Sequence, residues 1–228
     1  MANLHQIEVY PNALSSEDCQ NLIKIIDEFK EQESHLWIKR HKTSQKESTD
    51  IYIDFANMLE EVQDPLFERV NPICLSALDK MTIAYKQSHP FLNNISPWQL
   101  HPWYNLQYYS EGQGFTALHC EHDSNYIDKD KRSDGSKDRM LAWMIYLNNA
   151  ECGTNFPEQR LTITPAEGLG VIWPAYWTHP HKGVTPNIGD KYIATGWFHY
   201  YDPTKKNNKI NSRTIYLDLE DTTIQNQN

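Results

Sequence analysis

Cysteine is scarce in this sequence, and the few thiols stand far apart. The four cysteines lie at positions 19, 74, 120 and 152, and no two of them form a C-x-x-C pair. This spacing matches no zinc module, and nothing in it indicates an oxidising compartment. A free, buried thiol is therefore the expectation for each cysteine.

Long apolar runs are missing as well. No stretch reaches the roughly 18 consecutive apolar residues that a membrane-spanning helix needs. Residues 1–11 hold no apolar core of signal-peptide length. We therefore expect a soluble, cytoplasmic protein that contacts no membrane.

Basic residues are scattered, and the formal net charge is -9. Nucleic-acid-binding proteins usually carry a clustered basic patch. The one local run, Lys129, Lys131 and Arg132, is diluted by aspartates and is typical of a solvated loop. We therefore expect a small-molecule or peptide substrate and no nucleic-acid partner, and the composition predicts no particular oligomeric state.

Aromatic side chains are plentiful, at 12% of the 228 residues. Large flat side chains suit strand-rich cores and pocket walls, and a chain of this length can bury one sizeable core. We expect a single domain over residues 1–228. Its expected parts are an N-terminal helical support (1–97), a β core (98–202) and a polar C-terminal tail (203–228).

Two amphipathic helices are predicted in the first part of the chain, after a short strand at residues 7–10. Ser15 and Ser16 offer helix caps, and apolar residues recur over positions 22–29 at helical spacing. A second apolar stripe, from Val70 to Tyr85, predicts a helix over about residues 65–85. Both stripes are typical of core packing rather than of a cofactor-binding segment.

Between residues 98 and 201, short apolar or alternating runs are separated by Gly, Pro and Asn. Many short strands at such spacing indicate an all-β sandwich or barrel. The runs lie at residues 105–109, 141–147, 161–163, 170–173 and 192–200. With the preceding helices, they predict an α+β fold.

His119 and Glu121 are candidate metal ligands. They stand two apart at the end of a predicted strand, so their side chains share one face with Cα atoms about 7 Å apart. Asp123 shares that face and is an alternative carboxylate ligand if the chain turns sharply after Glu121. His122 is expected to point away and to serve packing.

A second histidine pair, His179 and His181, follows the apolar run at 170–173 and offers the third ligand. Two histidines and one carboxylate form the facial triad of non-haem iron(II) oxygenases, which leaves positions open for a cosubstrate and oxygen. A non-catalytic metal-binding barrel of cupin type and a zinc hydrolase are the alternatives. The missing third histidine and the lack of an evident general base weigh against the hydrolase.

The segment from Tyr109 to Trp197 resembles the prolyl-hydroxylase-like branch of the 2-oxoglutarate/iron(II)-dependent oxygenases. Lys191 lies ten residues after His181, as the family pattern requires, which favours His181 over His179 as the ligand. The sequence has Glu121 where the family usually has Asp, and Cys152-Gly153 where it has a Gly-Gly pair. The matching pieces are Tyr109-Ser-Glu-Gly112, His119-Cys-Glu121, Arg139, Tyr146-Leu-Asn148, Gly153-Thr-Asn-Phe156, His181 and Lys191.

The resemblance implies a double-stranded β-helix, which is a jelly-roll or cupin-like barrel, with supporting N-terminal helices. It also implies a dioxygenase that hydroxylates a C–H bond and releases succinate and CO2. The expected substrate is a prolyl residue of a peptide, with a free amino acid or another small molecule as alternatives. Iron(II) is expected on His119, Glu121 and His181, and 2-oxoglutarate at Lys191, Tyr146 and Tyr109, with ascorbate as an accessory reductant.

Several of these side chains also have ordinary structural interpretations. Tyr109 and Tyr146 suit strand packing, and Arg139 suits either substrate binding or the surface. Lys191 separates an enzyme from a storage or sensor barrel, because such a barrel needs no basic residue facing the metal. The polar segment 124–138 is predicted to be a loop that closes over substrate near the pocket mouth.

Overall fold

The computed structural model describes residues 5–32, 37–54, 65–122 and 136–200. Within these ranges the chain forms two helices, α1 (Ser16–Lys30) and α2 (Pro65–Ser88), and short 3-10 segments at Pro90–Asn94 and Ser136–Asp138. The strands are β1 (Glu8–Tyr10), β2 (Ile38–Lys42), β3 (Glu47–Asp54), β4 (Trp98–Leu100), β5 (Trp103–Tyr109), β6 (Arg139–Tyr146), β7 (Gly153–Phe156), β8 (Leu161–Ile163), β9 (Gly170–Pro174), β10 (Lys182–Val184) and β11 (Lys191–Tyr200).

The strands form two antiparallel sheets. The major sheet has the order β1-β9-β6-β11-β5-β3-β2, and β4 pairs with β11 off that path. The minor sheet has the order β10-β7-β8. Two antiparallel sheets with two helices confirm the predicted α+β class and match the expected double-stranded β-helix.

Both predicted helices are present, and local sequence explains where they begin. The Ser15 side chain accepts a hydrogen bond from the Asp18 backbone N–H at 3.1 Å, which caps the first turn of α1. Helix α2 begins at Pro65, and its predicted stripe from Val70 to Tyr85 is buried. The helix continues to Ser88, three residues beyond the predicted end.

Strand β6 is buried along its whole length and separates two hydrophobic clusters. Because successive side chains on a strand point to opposite faces, Trp143 and Ile145 join the cluster that includes both helices. Met144 and Tyr146 join the cluster on the other face, with residues of β7 and β9. The helices thus cover one face of the major sheet, and the other face is left for a pocket.

The hairpin of β2 and β3 was not predicted. It extends the major sheet beside β5, with Ile51 opposite Leu106. Ser48 and Asp50 are buried in β3, so the strand lacks the apolar alternation by which strands are recognised. Strands β1, β2 and β3 all precede residue 97, and the segment expected to be a helical support therefore also contributes to the major sheet.

Three expectations fall wholly or mostly outside the described residues. They concern Asp123, the tail 203–228 and the loop 124–138, of which the description includes only 136–138. In the part of the chain that the structure describes, neither helix has the length and apolarity to cross a membrane. The four cysteines form no disulfide, as predicted, although Cys120 and Cys152 are only partly buried.

Candidate active site

A single β-bridge brings His119 and His181 together. The His119 N–H donates to the His181 carbonyl at 3.0 Å, and the His181 N–H donates to the His119 carbonyl at 2.8 Å. The two imidazole centroids are 4.5 Å apart. His119 also stacks on the Phe115 ring at 3.9 Å, and His181 packs against Trp173 at 5.1 Å. Both rings are therefore held by packing as well as by the backbone.

Hydrogen bonds select which nitrogen of each ring faces a ligand. Nδ1 of His119 lies 2.9 Å from the Ala117 carbonyl oxygen, and Nδ1 of His181 lies 3.1 Å from the His179 carbonyl oxygen. A carbonyl oxygen only accepts, so each Nδ1 carries the proton and each Nε2 presents a lone pair. Metal-binding histidines are oriented by such contacts in the same way.

Glu121 is the third member of a set of candidate metal ligands, His119, Glu121 and His181, which we call the ligand group. Its Oε1 lies 3.3 Å from Nε2 of His181, and one ligand atom from each of His119, Glu121 and His181 lies within 4.8 Å of the others. Burial raises the pKa of Glu121, but the two histidines and Arg139 outweigh burial and lower it to about 2. Burial lowers the pKa of His119 to about 4. A carboxylate and neutral imidazoles are the forms that bind a metal ion.

The local backbone differs from the predicted strand. His119 takes part in an isolated bridge, and Glu121 and His122 lie in a turn. The Glu121 N–H donates to the Ala175 carbonyl at 3.2 Å, which ties this turn to the chain just after β9. His122 points away from the ligand group as expected, since its Nε2 donates to the Arg139 carbonyl at 2.6 Å.

His179 does not join the ligand group. Its Nε2 donates to the His5 carbonyl at 2.7 Å, and its Nδ1 lies 2.9 Å from the Thr178 hydroxyl. The side chain therefore ties the loop before β10 to the N-terminal segment. His181, and not His179, lies in the group of side chains that could hold a metal ion, and its role as a ligand stays a prediction.

Lys191 is a buried cation at the start of β11, directly opposite Tyr109 in the sheet register. Its ammonium nitrogen lies 5.4 Å from the centre of the Tyr109 ring and 5.6 Å from the centre of the Tyr146 ring. No carboxylate of the described residues lies within ion-pairing distance of it. Burial lowers the pKa of this lysine, and an anionic ligand would offset that effect.

The two tyrosine hydroxyls are engaged within the protein. The Tyr109 hydroxyl donates to Gln107 Oε1 at 2.8 Å, and the Tyr146 hydroxyl lies 2.7 Å from the Thr154 hydroxyl. Burial raises the pKa of both tyrosines, so both hydroxyls stay protonated. Their predicted contact with a cosubstrate stays a prediction.

The ligand group and Lys191 line one cavity of about 740 Å³. Tyr109 is also in its wall, whereas Tyr146 is not among the lining residues, although it lies on the same face of β6 as the lining residue Met144. Trp173 and Trp197 line the cavity as well. The cavity thus joins a set of metal donors to a buried cation.

Asp50 is a cavity residue that sequence reasoning missed. It is fully buried, and its carboxylate accepts hydrogen bonds from Lys46 at 2.6 Å, Ser48 at 2.7 Å and Gln107 at 3.0 Å. Gln107 in turn accepts from Tyr109, so the hairpin is connected to the residues around Lys191. Polar residues at every second position of β3 were the signal available in the sequence.

Comparisons with known proteins agree with this geometry. Residues 104–199 match the family model described as the 2OG-Fe(II) oxygenase superfamily. A comparison with curated proteins finds no significant sequence match. The matched segment runs from β5 to β11 and contains the three candidate metal ligands, Lys191, Tyr109 and Tyr146.

Solved prolyl hydroxylases share the fold. The viral collagen prolyl hydroxylase of Paramecium bursaria Chlorella virus-1, in complex with 2OG, is 19% identical with a TM-score of 0.54, covering 88% of this chain and 99% of that chain. A prolyl-4-hydroxylase of Pseudomonas putida is 15% identical with a TM-score of 0.59, covering 87% and 95%. A Trichoplax adhaerens prolyl hydroxylase, in complex with a hypoxia inducible factor peptide fragment, is 13% identical with a TM-score of 0.59, covering 87% and 85%.

The donor set fits iron(II), because two imidazoles and a carboxylate on one side of an open cavity leave coordination positions for other ligands. The buried cation in the same cavity fits a carboxylate-bearing cosubstrate. With the family match and the shared fold, these features identify the chain as carrying a 2OG-Fe(II) oxygenase domain, which makes it an iron(II)- and 2-oxoglutarate-dependent dioxygenase with the fold of the prolyl hydroxylases.

Proposed function

We propose that this enzyme hydroxylates a prolyl residue within a peptide, with iron(II) bound by His119, Glu121 and His181 and 2-oxoglutarate bound at Lys191. The observation that carries the proposal is the position of these four side chains around one cavity. The chemistry supplied by bound iron(II) is the activation of dioxygen, which couples decarboxylation of 2-oxoglutarate to insertion of oxygen into a C–H bond.

The protein's own contribution at the metal is orientation. The backbone carbonyls at Ala117 and His179 hold the two imidazoles with Nε2 toward the cavity. The β-bridge between His119 and His181 keeps these nitrogens on one side. Glu121 supplies the negative charge, so that a dication is bound with one anionic and two neutral ligands.

Lys191 would bind the distal carboxylate of 2-oxoglutarate. A buried ammonium without an anionic partner among the described residues is unfavourable, and an entering carboxylate removes that cost. The faces of Tyr109 and Tyr146 lie near the ammonium and favour its charge through cation–π attraction. The predicted use of ascorbate as a reductant belongs to the same proposal.

The opposite end of the cavity suits an apolar ring carried on a peptide. Tyr52, Trp103 and Trp197 form an aromatic wall, with ring centroids 5.9 Å apart for the first pair and 5.4 Å for the second. Flat aromatic faces pack well on a saturated ring such as that of proline. The cavity rim includes Lys39 and Gln45, which are exposed, so a chain can enter beside the hairpin. The Trichoplax adhaerens prolyl hydroxylase, which was solved in complex with a peptide fragment, supports a peptide as the substrate.

A turnover assay with matched substrates tests the proposal. Iron-loaded protein is incubated with 2-oxoglutarate and with peptides that differ only in carrying Pro or Ala at one position, and free amino acids are tested in parallel. Succinate and the oxygenated product are quantified by mass spectrometry, with His181→Ala as the inactive control. We expect succinate and hydroxylated peptide only with Pro. Turnover of free amino acids alone, or of Pro and Ala peptides equally, would contradict a prolyl substrate.

A further inference from the structure

Only one oxygen of the Glu121 carboxylate faces the candidate metal position. Oε1 lies 3.3 Å from Nε2 of His181, whereas Oε2 accepts a hydrogen bond from Nε1 of Trp197 at 2.6 Å. An N–H donor on an ionised carboxylate forms a strong hydrogen bond and fixes that oxygen. The indole therefore fixes Oε2 and leaves Oε1 available to bind a metal ion.

Arg139 packs over the ring of the same indole. The guanidinium carbon lies 3.6 Å from the centre of the Trp197 ring, and one guanidinium nitrogen lies 3.7 Å from Glu121 Oε2. The planar guanidinium stacks on the aromatic face and contacts the carboxylate at the same time. Arg139 is the first residue of β6, so the contact between Arg139 and Trp197 joins β6 to β11 in the centre of the major sheet.

Strand β11 sets the position of Trp197. Its alternate residues Lys191, Ile193, Thr195 and Trp197 all line the cavity, as expected for one face of a strand. The register places Trp197 opposite Ala142 of β6, whose small side chain leaves room for the indole. One strand thus carries the buried cation at one end of the cavity and the N–H donor at the other.

We propose that Trp197 is a positioning residue that directs Oε1 of Glu121 toward the iron by holding Oε2. This inference rests on the proposed ligand set. Glutamate has one more rotatable bond than aspartate, and its carboxylate has more positions available in an open cavity. A second fixed contact is what allows the longer arm to serve as a single-oxygen ligand. Partners behind metal ligands commonly change metal affinity when they are removed.

The test measures cobalt(II) affinity and the visible cobalt(II) spectrum of the full-length protein, in addition to activity. Trp197→Phe keeps an aromatic ring for Arg139 but removes the N–H. We expect metal affinity to fall about 10- to 100-fold, with an altered spectrum. Trp98→Phe is the matched control, because that indole also donates a hydrogen bond, to the Leu92 carbonyl at 3.2 Å, but lies outside the cavity. We expect its affinity to remain at the wild-type value.

Glu121→Asp tests whether Trp197 acts through Glu121. The shorter arm moves the carboxylate away from the indole, so adding Trp197→Phe to Glu121→Asp should change cobalt(II) affinity much less than Trp197→Phe does alone. An equal loss in both backgrounds, or a wild-type affinity and spectrum for Trp197→Phe, overturns the inference. If Glu121→Ala binds cobalt(II) as tightly as wild type, the proposed ligand set itself falls, and the two failures are thereby distinguished.

Discussion

The backbones of His119 and His181 exchange two hydrogen bonds, at 3.0 and 2.8 Å, although the residues are far apart in the sequence. The bridge joins the segment that follows β5 to the residue directly before β10, and it lies outside both sheets. Two imidazoles that are fixed in this way need little rearrangement to bind a metal ion. Preorganisation of this kind favours tight and geometrically selective binding.

His181→Ala should abolish iron binding, whereas His179→Ala should preserve it. His181 presents Nε2 to the ligand group, but His179 uses Nε2 to donate to the His5 carbonyl. The measurement is the iron content of protein that was loaded anaerobically and desalted, together with the thermal midpoint. His179→Ala should lower the thermal midpoint, because each lost hydrogen bond reduces the free energy of unfolding by about 1 kcal/mol. Equal iron loss in the two variants would contradict the assignment.

Lys191→Met should raise the KM for 2-oxoglutarate roughly 10- to 100-fold, as expected for losing a charge-assisted contact of about 1.5–3 kcal/mol. Without 2-oxoglutarate, the variant should be at least as stable as wild type, because a buried ammonium has been removed. The measurements are succinate release as a function of 2-oxoglutarate and the thermal midpoint of ligand-free protein. Lys182→Met is the control, since Lys182 is exposed and outside the cavity, and an equal effect there would contradict the prediction.

Glu121→Ala should abolish iron-dependent turnover, and Asp123→Ala should leave much of it. The reason is that Glu121 Oε1 already lies 3.3 Å from Nε2 of His181, in the group of atoms that could share one ion. The measurement is succinate release with iron content determined on the same samples. A variant pair in which Asp123→Ala loses iron and Glu121→Ala keeps it would assign the carboxylate ligand to Asp123.

Asp50→Asn should destabilise the protein by about 3 kcal/mol near neutral pH, because it leaves Lys46 without its anion in a largely buried position. Burial raises the pKa of Asp50, but Lys46 and His41 outweigh burial and lower it from 3.8 to about 2. A carboxylate with a depressed folded-state pKa stabilises the fold above its unfolded pKa, and this stabilisation is lost as pH falls through the folded pKa. The difference in stability between wild type and variant should therefore shrink between about pH 4 and pH 2.

Urea unfolding at a series of pH values measures this difference. Glu28→Gln is the control, because Glu28 pairs with Arg69 at 2.8 Å on the surface, where an ion pair contributes little. Its effect should stay below about 1 kcal/mol. A constant difference between wild type and Asp50→Asn from pH 7 to pH 2 would contradict the role of the ionised carboxylate.

Sequence reasoning worked best where one local pattern decides the structure. Helix α1 has a serine cap and a buried stripe, and both are encoded within a few neighbouring residues. Strand β6 was predicted because its apolar residues are continuous in the sequence. The hairpin of β2 and β3 was missed because β3 buries the polar residues Ser48 and Asp50. Polar side chains in a strand normally indicate exposure to solvent, and they are buried only where other parts of the chain supply hydrogen-bond partners.

By itself the sequence determined the chemical inventory: two histidines and a glutamate in the family order, and a lysine ten residues after the second histidine. Tertiary structure alone decided which atoms face the cavity. It placed Glu121 in a turn rather than a strand and engaged its second carboxylate oxygen with Trp197. Asp50 is buried, with Lys46 and Gln107 among the partners of its carboxylate. Such contacts join residues far apart in the chain, and their energies depend on burial and distance, which no local pattern records.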